Sequence, residues 1–154
     1  LMGSANDADQ LKPCGQVFKE FGIPYEARVL SAHRTPVETV EYIAEAETRG
    51  CEVVIAAAGG AAHLAGVCAA HTLLPVIGIP VESKSLKGLD SLLSTVQMPP
   101  GIPVATVAIG GMGSKNAAYL AIRIMALKDK ALTKKLKAFK EQMRQDILKS
   151  TVDV

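Results

Sequence analysis

The chain has no tryptophan, and aromatic residues make up only 4% of it, so it lacks the ring surfaces on which proteins stack successive nucleobases. It also lacks an excess of one charge. Lysine and arginine number 17 against 15 aspartates and glutamates, and the lysine-rich part is confined to the C-terminal segment. No nucleic-acid partner is indicated; a small polar ligand is. Cysteine is scarce and odd in number: Cys14, Cys51 and Cys68 lie far apart with no Cys-x-x-Cys pair. That excludes a disulfide framework and fits a cytoplasmic protein. No apolar run approaches the ~20 residues of a membrane span, and the start lacks the basic-then-apolar pattern of a signal peptide, so a soluble protein with no membrane partner is expected.

Several chemical signatures are missing as well. His33, His63 and His71 with the scattered cysteines match no zinc spacing, and no paired carboxylates stand near them, so no metal is expected. There is no Gly-x-Ser-x-Gly elbow and no Walker Gly-x-x-x-x-Gly-Lys, which removes the usual hydrolase and nucleoside-triphosphatase readings. Gly111-Met112-Gly113-Ser114-Lys115-Asn116 follows a strand pattern but ends in Asn where a dinucleotide fingerprint has Gly or Ala, and it reads as the start of a helix. His71, at the end of an Ala-rich helix, reads as structural.

What the chain has is aliphatic mass and alternation. With 154 residues and 49% hydrophobic content, it suffices for one buried core, and a single domain over 1–154 is expected. Short β-branched runs at 24–30, 52–57, 75–79 and 104–109 alternate with amphipathic runs at 8–21, 36–49, 62–71, 86–96 and 114–128. Gly, Ser or Pro marks each junction, the pattern of βαβ units and a parallel α/β sheet. A final helix over 129–150 carries Leu132, Leu136, Phe139, Met143 and Ile147 at spacings of three and four; it packs on its own domain or docks on a neighbouring subunit. Gly3-Ser4 forms a turn of the kind that follows an apolar strand, so a missing first strand at the N-terminus is expected, with a loss of stability.

Chemistry concentrates at the strand-to-helix junctions. Ser31-Ala32-His33-Arg34-Thr35-Pro36 puts an imidazole beside a fixed cation just before a helix start, where Thr35 and Glu38 are expected to form a capping box around Pro36. Unpaired N–H groups and Arg34 suit that loop to an anion, phosphate above all. Ala56-Ala57-Ala58-Gly59-Gly60-Ala61-Ala62-His63 lies where the next strand ends. Its small residues let backbone amides approach a ligand, although close helix packing demands the same residues, and His63 alone reads as a packed or capping histidine. Ser4 is a candidate donor to a phosphate oxygen and Asp7 a candidate acceptor from ribose hydroxyls, unless Asn6 or Asp7 simply caps the first helix. The stiff segment Gln97-Met98-Pro99-Pro100-Gly101-Ile102-Pro103 is either a cover over the pocket or a plain connection.

Taken together, Gly3-Ser4 with Asp7, Ser31 to Pro36, Gly59-Gly60-Ala61-Ala62-His63-Leu64 and Gln97-Met98-Pro99 before Gly101-Ile102-Pro103 resemble the N5-carboxyaminoimidazole ribonucleotide mutase family of purine biosynthesis, in order and over essentially the whole chain. The resemblance implies a three-layer α/β/α sandwich with a parallel, flavodoxin-like (Rossmann-like) sheet and an extra C-terminal helix, assembled as a homo-octamer with sites at subunit junctions. It makes His33 the proton-transfer residue, and Ser4, Asp7 and Arg34 the groups holding the ribose phosphate and its hydroxyls. Ser31, Gly59 and Gly60 join them in the substrate site, with His63 near the migrating carboxylate. No metal or organic cofactor is implied. In that family Gly-Gly-Ala-Ala-His and Arg after the first histidine mark the mutase branch, whereas direct carboxylases carry a different loop and commonly Lys. Asn6 departs from the usual Ser, and Ala65 from the usual Leu-Pro-Gly. The alternatives are a direct CO2-dependent aminoimidazole ribonucleotide carboxylase and a non-catalytic nucleotide-monophosphate-binding module.

Overall fold

The structure, a computed structural model, describes residues 1–152; the last two residues of the expected 1–154 domain lie outside the described residues. Contacts gather Leu1–Ala121 into one compact unit and the residues from Ile122 onward into a second. In the first unit, runs of Val and Ile form β1 (Val54–Ala58) and β2 (Val76–Pro80), paired in parallel from Val54↔Val76 to Ala58↔Pro80. The two-residue β3 (Ala105–Thr106) joins the far edge of β2, again in parallel. On the other side of β1, Met2 bridges Ala57 and Val29, both in parallel. Residues 1–3 therefore occupy the place in the sheet where a strand leading into Gly3-Ser4 is expected.

The helices between these strands are α1 (Ala8–Phe21), α2 (Pro36–Ala44), α3 (Leu64–Ala70), α4 (Leu89–Val96) and α5 (Gly110–Ala126). On one face of the sheet, Ile43 of α2 and Leu64, Ala65 and Cys68 of α3 close over Val54, Ala56 and Val76. Gly78 points to the same face: a Cβ there would stand 2.5 Å from Thr95 and 2.8 Å from Val104, so its lack of a side chain lets α4 lie against β2. Ile77 and Ile79 alternate to the opposite face and are also fully buried. The third layer includes α1, whose Cys14, Val17, Phe18 and Phe21 are buried. Pro13 lies inside α1 without breaking it, and the Cys14 N–H donates to the buried Ser114 hydroxyl of α5 at 3.1 Å. The α/β fold with a parallel sheet is thus as the sequence predicts.

Several boundaries differ for identifiable reasons. Segment 24–30 is no strand; Val29 alone is bridged, through Met2, while Arg28 and Leu30 exchange backbone bonds with Met2. Its start is held by side chains instead: Glu26 accepts from Arg49 at 3.1 Å, and the guanidinium lies 4.3 Å from the centre of the Tyr42 ring. The helix expected over 36–49 stops at Ala44 and continues as turns to Gly50. The one expected from 86 starts at Leu89, because Lys87 and Gly88 take left-handed backbone angles of 53° and 90° in φ. In the second unit, α6 (Lys130–Lys149) is capped by Asp129, whose carboxylate accepts from the N–H groups of Ala131 and Leu132. Leu132 is buried, and Met143 and Ile147 further along the apolar stripe are exposed.

Candidate active site

Because the strands are parallel, the loops after Met2, Val29, β1 and β2 all emerge at one edge of the sheet, the carboxyl edge where α/β proteins bind ligands. There they enclose a cleft of about 510 Å³ lined by Gly3, Ser4, Asp7, Ser31, His33, Arg34, Gly59, Gly60 and His63, with Glu82 and Ser83 from the loop after β2. All eight residues singled out in the sequence line this one cleft. The stiff segment 97–103 does not line it; Met98 instead rests against α3, its sulfur 3.1 Å from where a Cβ on Gly66 would be.

The first loop is fixed by its own polar groups. Ser4 caps the short 3-10 turn Ala5–Asp7: its hydroxyl accepts from the Asn6 N–H at 3.2 Å, and the Asp7 carboxylate accepts from the Ser4 N–H at 3.1 Å. Partial burial of Asp7 raises its pKa from the ordinary value, while the Ser4 N–H and the Arg34 charge oppose that rise. The capping box thus forms here and not at the second loop. Thr35 makes no side-chain cap to α2, because its hydroxyl turns back to accept from the Ser31 N–H at 2.8 Å and faces the Ser31 carbonyl at 3.1 Å. That local competition closes the Ser31–Thr35 turn and presents its side chains to the cleft.

Arg34 ties the two loops together. Its Nη2 donates to the Gly3 carbonyl at 2.7 Å and its Nε approaches the Ser31 hydroxyl at 3.4 Å. The guanidinium is thereby held at the cleft wall beside Ser4 and Asp7, with donor capacity left for an anion. His33 faces the third loop: its Nε2 lies 2.8 Å from His63 Nδ1, with the rings at 82° and their centroids 4.9 Å apart. His63 precedes α3 but makes no side-chain cap to it. One imidazole of the pair donates and the other accepts, so a proton on one is within direct reach of the other.

The turn 59–62 differs from expectation in its use of backbone amides. Gly60 adopts a φ of 66°, and its N–H donates to the Ser91 hydroxyl of α4 at 2.9 Å; the Ala62 N–H donates to Ser94 at the same distance. Those two amides serve the fold and are not presented to a ligand. Sequence reasoning does not single out Ser91 and Ser94; the available signal is the Ser-x-x-Ser spacing that puts both hydroxyls on one side of a helix. His71, as expected, is structural, its Nδ1 bonded to the Val67 carbonyl at 2.8 Å. Among the described residues no cluster of His, Cys, Asp and Glu is arranged to hold a metal ion.

Fold and site together define an α/β protein with a polar cleft at its strand ends and an imidazole pair lining it. Comparison with known proteins gives that class a family. The family model described as AIR carboxylase matches residues 1–146, and the chain belongs to that family. It is 59% identical to the N5-carboxyaminoimidazole ribonucleotide mutase of Saccharolobus solfataricus over 99% of this chain and 96% of the relative. The mutase of Bacillus subtilis is 50% identical over 98% of this chain and 93% of its own. A crystal structure of PurE from Treponema denticola superimposes with a TM-score of 0.84 at 32% identity, covering 96% of this chain and 90% of that one.

Proposed function

We propose that the chain converts N5-carboxyaminoimidazole ribonucleotide to 4-carboxy-5-aminoimidazole ribonucleotide, with His33 as general acid and base. The observation that carries this reading is the His33–His63 contact at 2.8 Å within a cleft that also holds Arg34, Ser4 and Asp7. In the first step the N5–carboxylate bond breaks, its electron pair stays on nitrogen, and His33 delivers a proton to N5 as CO2 departs. In the second, C4 attacks the CO2 carbon, and the C4 proton returns to His33. The proton balance closes on one imidazole, so the sequence of steps calls for no external acid, base or cofactor. Arg34 and Ser4 hold the phosphate, Asp7 accepts from the ribose hydroxyls, and Ser31, Gly59 and Gly60 shape the wall that keeps CO2 near C4.

The mutase reading is favoured over direct carboxylation by the similarity to proteins named as mutases and by Arg34 and His63 at their positions. A binding-only module has no use for paired imidazoles in the pocket. One mutase domain over the whole chain, a homo-octamer and a cytoplasmic location belong to the same proposal. The octamer is supported by the exposed Leu89, Leu93 and Val96 on α4, with Leu86 in the turn before it, and by the exposed end of the α6 stripe. Among the described residues no helix is long and apolar enough to cross a membrane. Replacing His33 by Asn tests the mechanism: turnover is abolished while nucleotide binding survives, and near-native activity in that variant would refute the role given to His33.

A further inference from the structure

A turn built from Gly59, Gly60, Ala61 and Ala62 has almost no side chain with which to fix itself, and its conformation therefore depends on what holds its backbone. That hold comes from α4. The buried Ser91 hydroxyl accepts from the Gly60 N–H at 2.9 Å and donates to the Val81 carbonyl at 2.7 Å, linking the turn after β1 to the end of β2. One turn along α4, the Ser94 hydroxyl accepts from the Ala62 N–H at 2.9 Å and has three carbonyls within donating reach, Asp90 at 2.8 Å, Gly60 at 3.1 Å and Ser91 at 3.2 Å. The residue after Ala62 is His63, whose ring meets His33.

We propose that Ser91 and Ser94 are positioning residues for the reaction, holding the turn 59–62 so that His63 stays within hydrogen-bond reach of His33. Neither serine lines the cleft, so each acts through the backbone that carries His63. The claim rests on the mutase reading for its kinetic consequence and on geometry alone for the ring contact. Small displacements of a proton-transfer partner are costly: about 1 Å of misplacement lowers a rate up to roughly 100-fold.

Ser94 is the residue to test, because its own side chain is half-buried, whereas the Ser91 hydroxyl is fully buried and its removal strands the buried Val81 carbonyl. The variants are Ser94→Ala, Ser94→Thr, His63→Ala and the double Ser94→Ala with His63→Ala. Ser94→Ala lowers kcat about ten-fold with KM changed by less than about two-fold, and Ser94→Thr, which keeps the hydroxyl, restores most of it. In the His63→Ala background the Ser94 substitution costs nothing further, because the residue it positions is gone. A second readout needs no turnover: 15N spectra of the imidazoles report the His33–His63 hydrogen bond as intact in the native protein and Ser94→Thr, and lost in Ser94→Ala. The inference is overturned if the ring contact survives Ser94→Ala, or if the kinetic penalty persists undiminished without His63. Absence of mutase activity in the native protein would defeat the functional reading, while the spectra would still decide the positioning claim.

Discussion

His33 and His63 stand 30 positions apart in the chain, yet Nε2 of the first and Nδ1 of the second are 2.8 Å from each other, with the rings nearly perpendicular. The contact joins the loop after Val29 to the loop after β1 and gives the cleft two imidazoles sharing one hydrogen bond. Replacing His63 by Ala removes that partner while leaving Arg34, Ser4 and Asp7 in place. Turnover falls by about 10² with a small change in KM, in the range for loss of one group assisting proton transfer. Steady-state kinetics with the carboxylated substrate checks it, and an unchanged kcat would dissociate the imidazole pair from the chemistry.

Arg34 makes a different prediction because the proposed function gives it a binding role. Its guanidinium is anchored on the Gly3 carbonyl and faces the cleft beside Ser4. Arg34→Ala raises KM and weakens binding of the product nucleotide by at least about ten-fold, the effect of losing one charge-assisted contact to phosphate. Calorimetric titration of product reads this directly; unchanged affinity would show that the phosphate lies elsewhere.

Backbone geometry separates two glycines that both have open space around a built Cβ. Gly60 sits at a φ of 66°, whereas Gly111 lies in the first turn of α5 without a positive φ. Gly60→Ala destabilises the protein by about 1 kcal/mol through left-handed strain and also lowers turnover by disturbing the turn before His63. Gly111→Ala is neutral or stabilising by up to about 0.5 kcal/mol. Denaturant unfolding of the two variants gives the comparison, and equal effects would contradict it.

The thiols predict an alkaline limit. Burial pushes Cys14 and Cys68 up to about 11 from an ordinary 9, so each stays protonated in the folded chain over a pH range where the unfolded chain ionises. Their contribution to stability is present below pH 9 and is lost as the pH rises to about 11. The melting temperature therefore falls across that window, by more than in a Cys14→Ala variant compared with its own value at pH 8. Alkylation at pH 8 modifies the half-buried Cys51 first, and Cys14 and Cys68 only on opening of the fold. Equal labelling rates for all three would contradict the burial account.

The three loops of the site are legible because each carries its own punctuation: Gly3-Ser4, Ser31 to Pro36, and Gly59-Gly60. Helix α1 was legible to the residue from its amphipathic period. What local sequence does not encode is partnership across the fold. Thr35 and Glu38 have capping-box spacing, but the Ser31 backbone competes for the Thr35 hydroxyl and wins. Segment 24–30 has strand composition, yet strand structure depends on a ladder partner, and only Met2 bridges it. The meeting of His33 with His63 joins loops 30 residues apart, and the grip of Ser91 and Ser94 on the turn between β1 and α3 depends on α4 lying against β2 at Gly78; no window of sequence displays either.

The most direct test is to supply N5-carboxyaminoimidazole ribonucleotide in bicarbonate-free buffer and follow formation of the C4-carboxylated isomer, with aminoimidazole ribonucleotide plus bicarbonate as the parallel reaction. Rapid conversion in the first reaction, with little product in the second, is the predicted result. Product formed only from aminoimidazole ribonucleotide and bicarbonate would contradict it and assign the chain to direct carboxylation.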